Sequence, residues 1–127
     1  MTTAIDKIRA AKAAAPNLAQ ATTGQKNSVL LQIAALLPAR ASEIIAANQI
    51  DINRGVQDGM SLSLQDRLRL DEGRIKAIAD ATSKIVGLPD PVGEVIRGMS
   101  LPNGLKLTQV RVSIGVIGVI YDALPNV

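Results

Sequence analysis

An α/β fold is predicted by three observations on the sequence. Apolar residues recur at three- and four-residue steps through the first two thirds of the chain, Asn103-Gly104 separates two segments of extended character, and residues 114–120 contain no polar side chain. Each element can be justified in order.

Thr2 or Thr3 supplies the hydroxyl cap of a first helix reaching about Ala15, with Ile5 and Ile8 on one face and Pro16-Asn17 as its stop. A second helix starts after Gly24, and Val29, Leu30, Ile33, Ala34 and Leu37 form its apolar stripe. Pro38 lacks an amide hydrogen and crowds the carbonyl four residues earlier, so it predicts a kink or the first turn of the next helix. Ala41, Ile44, Ile45 and Asn48 carry the pattern toward Ile52, after which the polar, glycine-bearing stretch 53–59 reads as a loop. A short helix near residues 64–70 leads to a stronger one over 71–86, where Ile75, Ile78, Ala79, Thr82, Ile85 and Val86 share a face. Glu72 with Lys76 and Asp80 with Lys84 are acid-before-base pairs on its outer surface. At about 0.2–0.5 kcal/mol each, such pairs mark a solvated face rather than a site.

After Gly87 the character changes. Two prolines exclude helix from residues 88–93, residues 94–99 read as a strand, and Asn103-Gly104 is a hairpin turn. Lys106, Thr108, Arg111 and Ser113 alternate with Leu105, Leu107, Val110 and Val112, which predicts a half-exposed return strand. Residues 114–120 are apolar on both faces, as a parallel strand is when helices cover both sides of its sheet. Such a strand needs neighbours on both edges. The order of elements therefore reads as the opening of an α/β domain.

The composition restricts the chemistry. With 127 residues, no Cys and no His, the chain has no thiolate nucleophile, disulfide, cysteine-ligated zinc or imidazole relay. Its one aromatic residue, Tyr121, cannot provide the stacking platforms of single-strand nucleic-acid binding. The net charge is +3, but Lys and Arg are interspersed with Asp and Glu, so no basic stripe marks a phosphate backbone. The apolar run ending at Tyr121 is far short of the ~20 residues of a membrane span. Lys7, Arg9 and Lys12 beside Asp6 fit an amphipathic first helix better than a transit peptide, and a cytoplasmic protein is expected.

Few residues suggest a site. Gly115 and Gly118 match neither a dinucleotide fingerprint nor a phosphate loop, and fit the close approach of another backbone or a ligand. Asp90 and Glu94 flank a Pro-Val-Gly turn and read as a surface turn and strand start rather than an acid–base pair. Asp122 follows the apolar strand, where open α/β sheets bind ligands, although a plain loop acid fits equally. Pro125 would fix the loop that carries Asn126, whose amide can donate a hydrogen bond to a developing oxyanion.

Three segments carry a resemblance: Leu88-Pro-Asp-Pro-Val-Gly-Glu-Val-Ile, Leu101-Pro-Asn-Gly-Leu-Lys-Leu, and Arg111-Val-Ser-Ile-Gly-Val-Ile-Gly-Val-Ile-Tyr-Asp-Ala-Leu-Pro-Asn-Val. Asp66-Arg-Leu-Arg-Leu with Arg74, and Ala47-Asn48 with Asp51, extend it upstream. Together they resemble the γ-glutamyl phosphate reductase family, also called glutamate-5-semialdehyde dehydrogenases, within the aldehyde dehydrogenase superfamily. Where that family usually reads Arg-Val-Pro-Ile-Gly and Tyr-Glu-Ala-Arg-Pro-Asn-Val, this chain has Ser113, Asp122 and Leu124 in place of the proline, glutamate and arginine. Asp122 keeps the charge, whereas Leu124 removes a cation.

The resemblance implies the N-terminal part of an aldehyde dehydrogenase-like fold, with helices followed by a β-hairpin and a buried parallel strand. It divides the chain into a helical part of the cofactor-binding domain over 1–93, a hairpin for subunit pairing over 94–112, and the first buried strand with an active-site loop over 113–127. The implied reaction is the NADPH-dependent reduction of L-glutamyl 5-phosphate to L-glutamate 5-semialdehyde in proline biosynthesis, by a homo-oligomer that needs neither metal, nucleic acid nor membrane. On that reading Asn126 is the catalytic oxyanion donor, Tyr121 and Ala123 lie near the cofactor, and the catalytic cysteine falls beyond Val127. The chain would then be truncated and inactive alone. Two alternatives stand beside it: a non-catalytic interaction fragment pairing with a full-length subunit, and a gene remnant without selected function.

Overall fold

The computed structural model describes residues 3–120. The α/β class holds: the described residues form five helices and one two-stranded antiparallel sheet. Two compact units divide them, one built from residues 3–23 and 89–118, the other from residues 24–88 and 119–120.

In the first unit, α1 (Ala4–Ala19) begins with a reciprocal cap. The Asp6 amide donates to Thr3 Oγ1 (3.2 Å), while the Thr3 amide (3.0 Å) and hydroxyl (2.7 Å) donate to Asp6 Oδ2. These bonds, the hydroxyl's foremost, hold the Asp6 carboxyl below the usual carboxylate range. The helix does not stop at Ala15 as expected, because Pro16 lies inside it. A proline φ is helical, and the one carbonyl it orphans belongs to exposed Lys12, where water can satisfy it. The helix buries no residue, and Ile5, Ile8 and Leu18 stand exposed.

The hairpin of this unit pairs β1 (Val95–Ser100) with β2 (Lys106–Val110), in the register Met99 to Leu107 and Gly98 to Thr108, with an irregularity near Ile96. The predicted turn forms. Gly104 takes φ +83°, Leu101 N–H donates to Leu105 O (2.8 Å), and Asn103 Oδ1 accepts from the Leu105 amide (3.2 Å). The expected half-burial does not occur, since both strands are exposed at every position. A lone two-stranded ribbon has no layer against which to bury a face.

The second unit holds α2 (Thr23–Ala39), α3 (Ala41–Gln57), α4 (Leu62–Leu68) and α5 (Glu72–Ile85). Pro38 neither kinks α2 nor opens α3. It is the last residue but one of α2, and the chain turns through 71° at Arg40. There the guanidinium grips Glu43 at 2.6 and 3.2 Å and lowers its pKa by hydrogen bonding first and charge second. The loop expected over 53–59 is instead helix as far as Gln57. Gly55 is buried in that last turn, where an added Cβ would lie 2.7 Å from Met60 Cε, so its bareness lets Met60 fold back over the helix end. Gly59, with φ +80°, then turns the chain out.

The apolar face predicted for α5 packs inward through Ile75 and Ala79, which with Ala34 and Ile52 make the small core. The expected pairs Glu72–Lys76 and Asp80–Lys84 are replaced by one: Lys76 Nζ turns forward to Asp80 Oδ2 at 2.6 Å. One ammonium reached by acids on both sides settles on a single partner. Asn48 is the buried polar residue of this core. Its Nδ2 donates to Leu68 O (2.9 Å), and its Oδ1 accepts from the Leu70 amide (2.8 Å), which ties α3 to the α4–α5 junction.

The expected buried strand over 114–120 is absent. Residues 111–120 have no regular structure and are all exposed, Ile114 at 85% and Ile117 at 66%. Among the described residues the one sheet is the hairpin, residues 112–120 pair with neither of its edges, and an isolated strand does not form in water. Gly115 and Gly118 accordingly face open space, not another backbone.

Two outcomes are expected. Asn48→Ala orphans a buried amide and carbonyl and will destabilise the helical unit by about 2–3 kcal/mol in chemical denaturation followed by circular dichroism. The Asp6 carboxylate supports α1 above its unfolded pKa of about 3.9, and that support is lost as pH falls through its lower folded value. Asp6→Asn should remove the α1 part of the helicity lost between pH 5 and 2, leaving the part owed to Glu43.

Candidate functional site

The residues with chemical promise fall into four places. The first is the turn 88–94 and the base of the hairpin. Asp90 Oδ1 accepts from the Val92 amide (3.1 Å), the local turn bond of an aspartate before a bend, and its Oδ2 accepts from Thr23 Oγ1 (3.0 Å) across 67 residues of sequence. Glu94 Oε2 instead meets Arg111 Nε at 2.7 Å. The strand ladder continues there, with Gly93 N–H donating to Arg111 O and Arg111 N–H to Glu94 O, both at 2.9 Å. The two acids thus serve separate structural partners and form no acid–base pair, in agreement with the sequence reading.

The second place is the α4–α5 junction, where the motif residues Asn48, Asp66 and Arg74 converge. Asp71 caps α5 by accepting from the Arg74 amide (2.7 Å). The Arg74 side chain turns back over the junction: Nη1 donates to Arg69 O (2.8 Å) and to Asp66 O, and Nη2 meets Asp66 Oδ1 at 3.1 Å. Arg74 and Asn48 hold the backbone of residues 66–70 between them. The sequence analysis quoted these residues as pieces of a motif without a role. A buried asparagine on an otherwise apolar stripe was the signal that could have supplied one.

The third place is a groove of about 660 Å³ along α2 and α5, walled by Leu31, Ala34, Ala35, Pro38 and Ala79, with Glu72, Lys76 and Asp80 among its lining. Lys76 is paired with Asp80, and Glu72 adds a further acid. The groove therefore lacks the convergent donors that a phosphate or nucleotide requires. Among the described residues no group of three acids could hold a metal ion, and no single helix is long and apolar enough to cross a membrane.

The fourth is the run 112–120, exposed throughout. The predicted site residues Asn126, Tyr121 and Ala123, with Asp122 and Leu124, follow it and lie outside the described residues.

No family model matches the chain. It is 47% identical over 126 residues to a γ-glutamyl phosphate reductase of Leifsonia xyli subsp. xyli, covering 99% of this chain and 30% of that protein. It is 50% identical over 118 residues to the enzyme of that name from Bifidobacterium adolescentis, covering 93% of this chain and 28% of that one. Among solved structures it is similar to γ-glutamyl phosphate reductase of Thermotoga maritima, with TM-score 0.81 and 39% identity over 85% of this chain and 26% of the other. The Saccharomyces cerevisiae enzyme gives TM-score 0.73 and 29% identity over 87% of this chain and 28% of the other. The chain spans about 30% of the length of the curated relatives it matches.

Arg74→Lys keeps the charge but loses the planar fork that serves two carbonyls and a carboxylate. Thermal unfolding should show a loss of about 1 kcal/mol, with helix content at low temperature unchanged.

Proposed function

We propose that this chain, a homologue of γ-glutamyl phosphate reductases that matches their N-terminal part, serves that reductase's reaction. L-glutamyl 5-phosphate is reduced with NADPH to L-glutamate 5-semialdehyde, and phosphate is released, in a cytoplasmic step of proline biosynthesis. The observation that carries the reading is the 47% identity over 126 residues, which covers 99% of this chain.

The chemistry divides between this chain and what lies outside it. Reduction of an acyl phosphate to an aldehyde goes well through a thioester, since a thiolate displaces phosphate and leaves a carbonyl open to hydride. This chain has no cysteine, so it does not supply the nucleophile. The described residues do not fit NADPH either: the groove on α2 and α5 has no cradle for its phosphates, and no step is assigned to them. The reading gives the cofactor contacts to Tyr121 and Ala123. Asn126, on a loop stiffened by Pro125, donates its amide hydrogen to the oxyanion formed when the acyl carbon is attacked. Leu124 stands where the family carries an arginine, so this loop binds an anionic substrate with one cation fewer.

Residues 1–93 then belong to the cofactor-binding domain, and 113–127 are its first interior strand and active-site loop. The hairpin 94–112 is a contact between subunits of a homo-oligomer, a use supported by its exposure on both faces.

The purified chain should consume no NADPH above background with L-glutamyl 5-phosphate, followed at 340 nm, and robust turnover would refute its dependence on a nucleophile from elsewhere. In an assembled reductase carrying this segment, Asn126→Ala should lower kcat by about 10²–10³ with a smaller change in KM.

A further inference from the structure

We infer that Met60 is a site of reversible oxidation, at which conversion of its thioether to the sulfoxide by a peroxide unseats the side chain from Gly55 and loosens the end of α3.

Sulfur is where a peroxide reacts first, and this chain has no Cys and three Met. Met99 stands 43% exposed on the hairpin, whereas Met60 is half-buried against α3. Met60 is thus open to a small oxidant and engaged in packing at once. Its seat is specific: a Cβ on Gly55 would lie 2.7 Å from Met60 Cε and 3.1 Å from Sδ, so the thioether rests on backbone that glycine leaves bare. The Met60 amide donates to Gly55 O (2.8 Å), and the Met60 carbonyl accepts from Gln65 Nε2 of α4 (2.8 Å). One residue therefore closes the last turn of α3, covers it, and receives a bond from the next helix.

The step balances with hydrogen peroxide as oxidant. A sulfur lone pair attacks one peroxide oxygen, the O–O bond breaks, that oxygen stays on sulfur and the other leaves as water. Sulfur is oxidised and the peroxide reduced. A dithiol reductase reverses the change, taking the oxygen off as water while its thiols become a disulfide. The sulfoxide is bulkier and polar. Contact between sulfur and the bare backbone leaves no room for an oxygen on the helix side, and the new dipole disfavours any other covered position. The oxidised side chain leaves its seat, and the turn it covered opens to water.

The test adds hydrogen peroxide to the purified full chain, locates the oxidised residues by peptide mass spectrometry and follows unfolding by circular dichroism. Met60 should react in the folded chain, more slowly than Met99, and the unfolding midpoint should fall by at least about 3 °C. Amide exchange at Asp58 and Met60, whose N–H groups donate to Arg54 O and Gly55 O, should speed up at least about tenfold. Met60→Leu should abolish the shift, Met99→Leu should keep it, and a methionine sulfoxide reductase should restore the midpoint. Gly55→Ala, whose methyl takes the seat, should raise the oxidation rate of Met60 to that of Met99. Reaction of Met60 only after unfolding, a midpoint unmoved by its oxidation, or a shift that persists in Met60→Leu would overturn the assignment. So would an unchanged Met60 rate in Gly55→Ala, which tests the seat independently of how Met60→Leu folds.

Discussion

The buried amide of Asn48 is the contact on which the helical unit depends. The connection between α4 and α5 carries the half-buried Leu68 and Leu70, and the backbone polar groups of these same two residues need partners where they approach the apolar interior. One side chain with a donor and an acceptor satisfies Leu68 O and the Leu70 amide together. That pairing sets where α5 starts, and therefore which of its residues meet Ala34 and Ile52. Arg74 secures the same connection from the solvent side. Its guanidinium supplies fork geometry where an ammonium would supply only charge. A core of four small or medium apolar residues has little hydrophobic free energy to spare, so the polar contacts that place the helices carry unusual weight here.

The helices were legible because periodicity is local information. The stripes on α3 and α5 placed Asn48, Ile52, Ile75 and Ala79 correctly, and Asn103-Gly104 announced the hairpin. The errors came from residues whose preference was overruled by a neighbour. Gly55 looked like a loop residue, yet the room it leaves for Met60 makes it useful inside a helix. Pro16 looked like a stop, yet it removes only one hydrogen bond near a helix end that is exposed to water. Choosing among three charges on α5 required rotamer geometry, which a sequence does not hold. Of the candidate site, the separate structural roles of Asp90 and Glu94 were legible, because a turn between prolines leaves little else for an acid to do. Asn126, Tyr121 and Ala123 lie outside the described residues and stay proposals, drawn from the resemblance and, for Asn126, also from the loop that Pro125 would fix.

The strand over 114–120 failed for a different reason. Its pattern is correct for the interior of a sheet, and among the described residues the one sheet is the exposed hairpin. Burial on two faces and pairing on two edges are four conditions that other segments must meet, and no local property of these residues can meet them. The relatives that the chain matches are more than three times as long as it is.

An exposed apolar run of this kind is held in solution by what surrounds it. Free backbone edges and apolar faces promote association between like chains, a hazard usually blunted with charge, proline or cover. Arg111 stands just before the run, and its pairing with Glu94 closes the hairpin base, so that edge is occupied before the apolar residues begin. Within residues 112–118 the sole polar side chain is Ser113. Unlike a proline, serine leaves its backbone amide available for edge-to-edge pairing. The run therefore carries neither charge nor proline to oppose such pairing, and the ion pair at the hairpin base is the nearest charge to it.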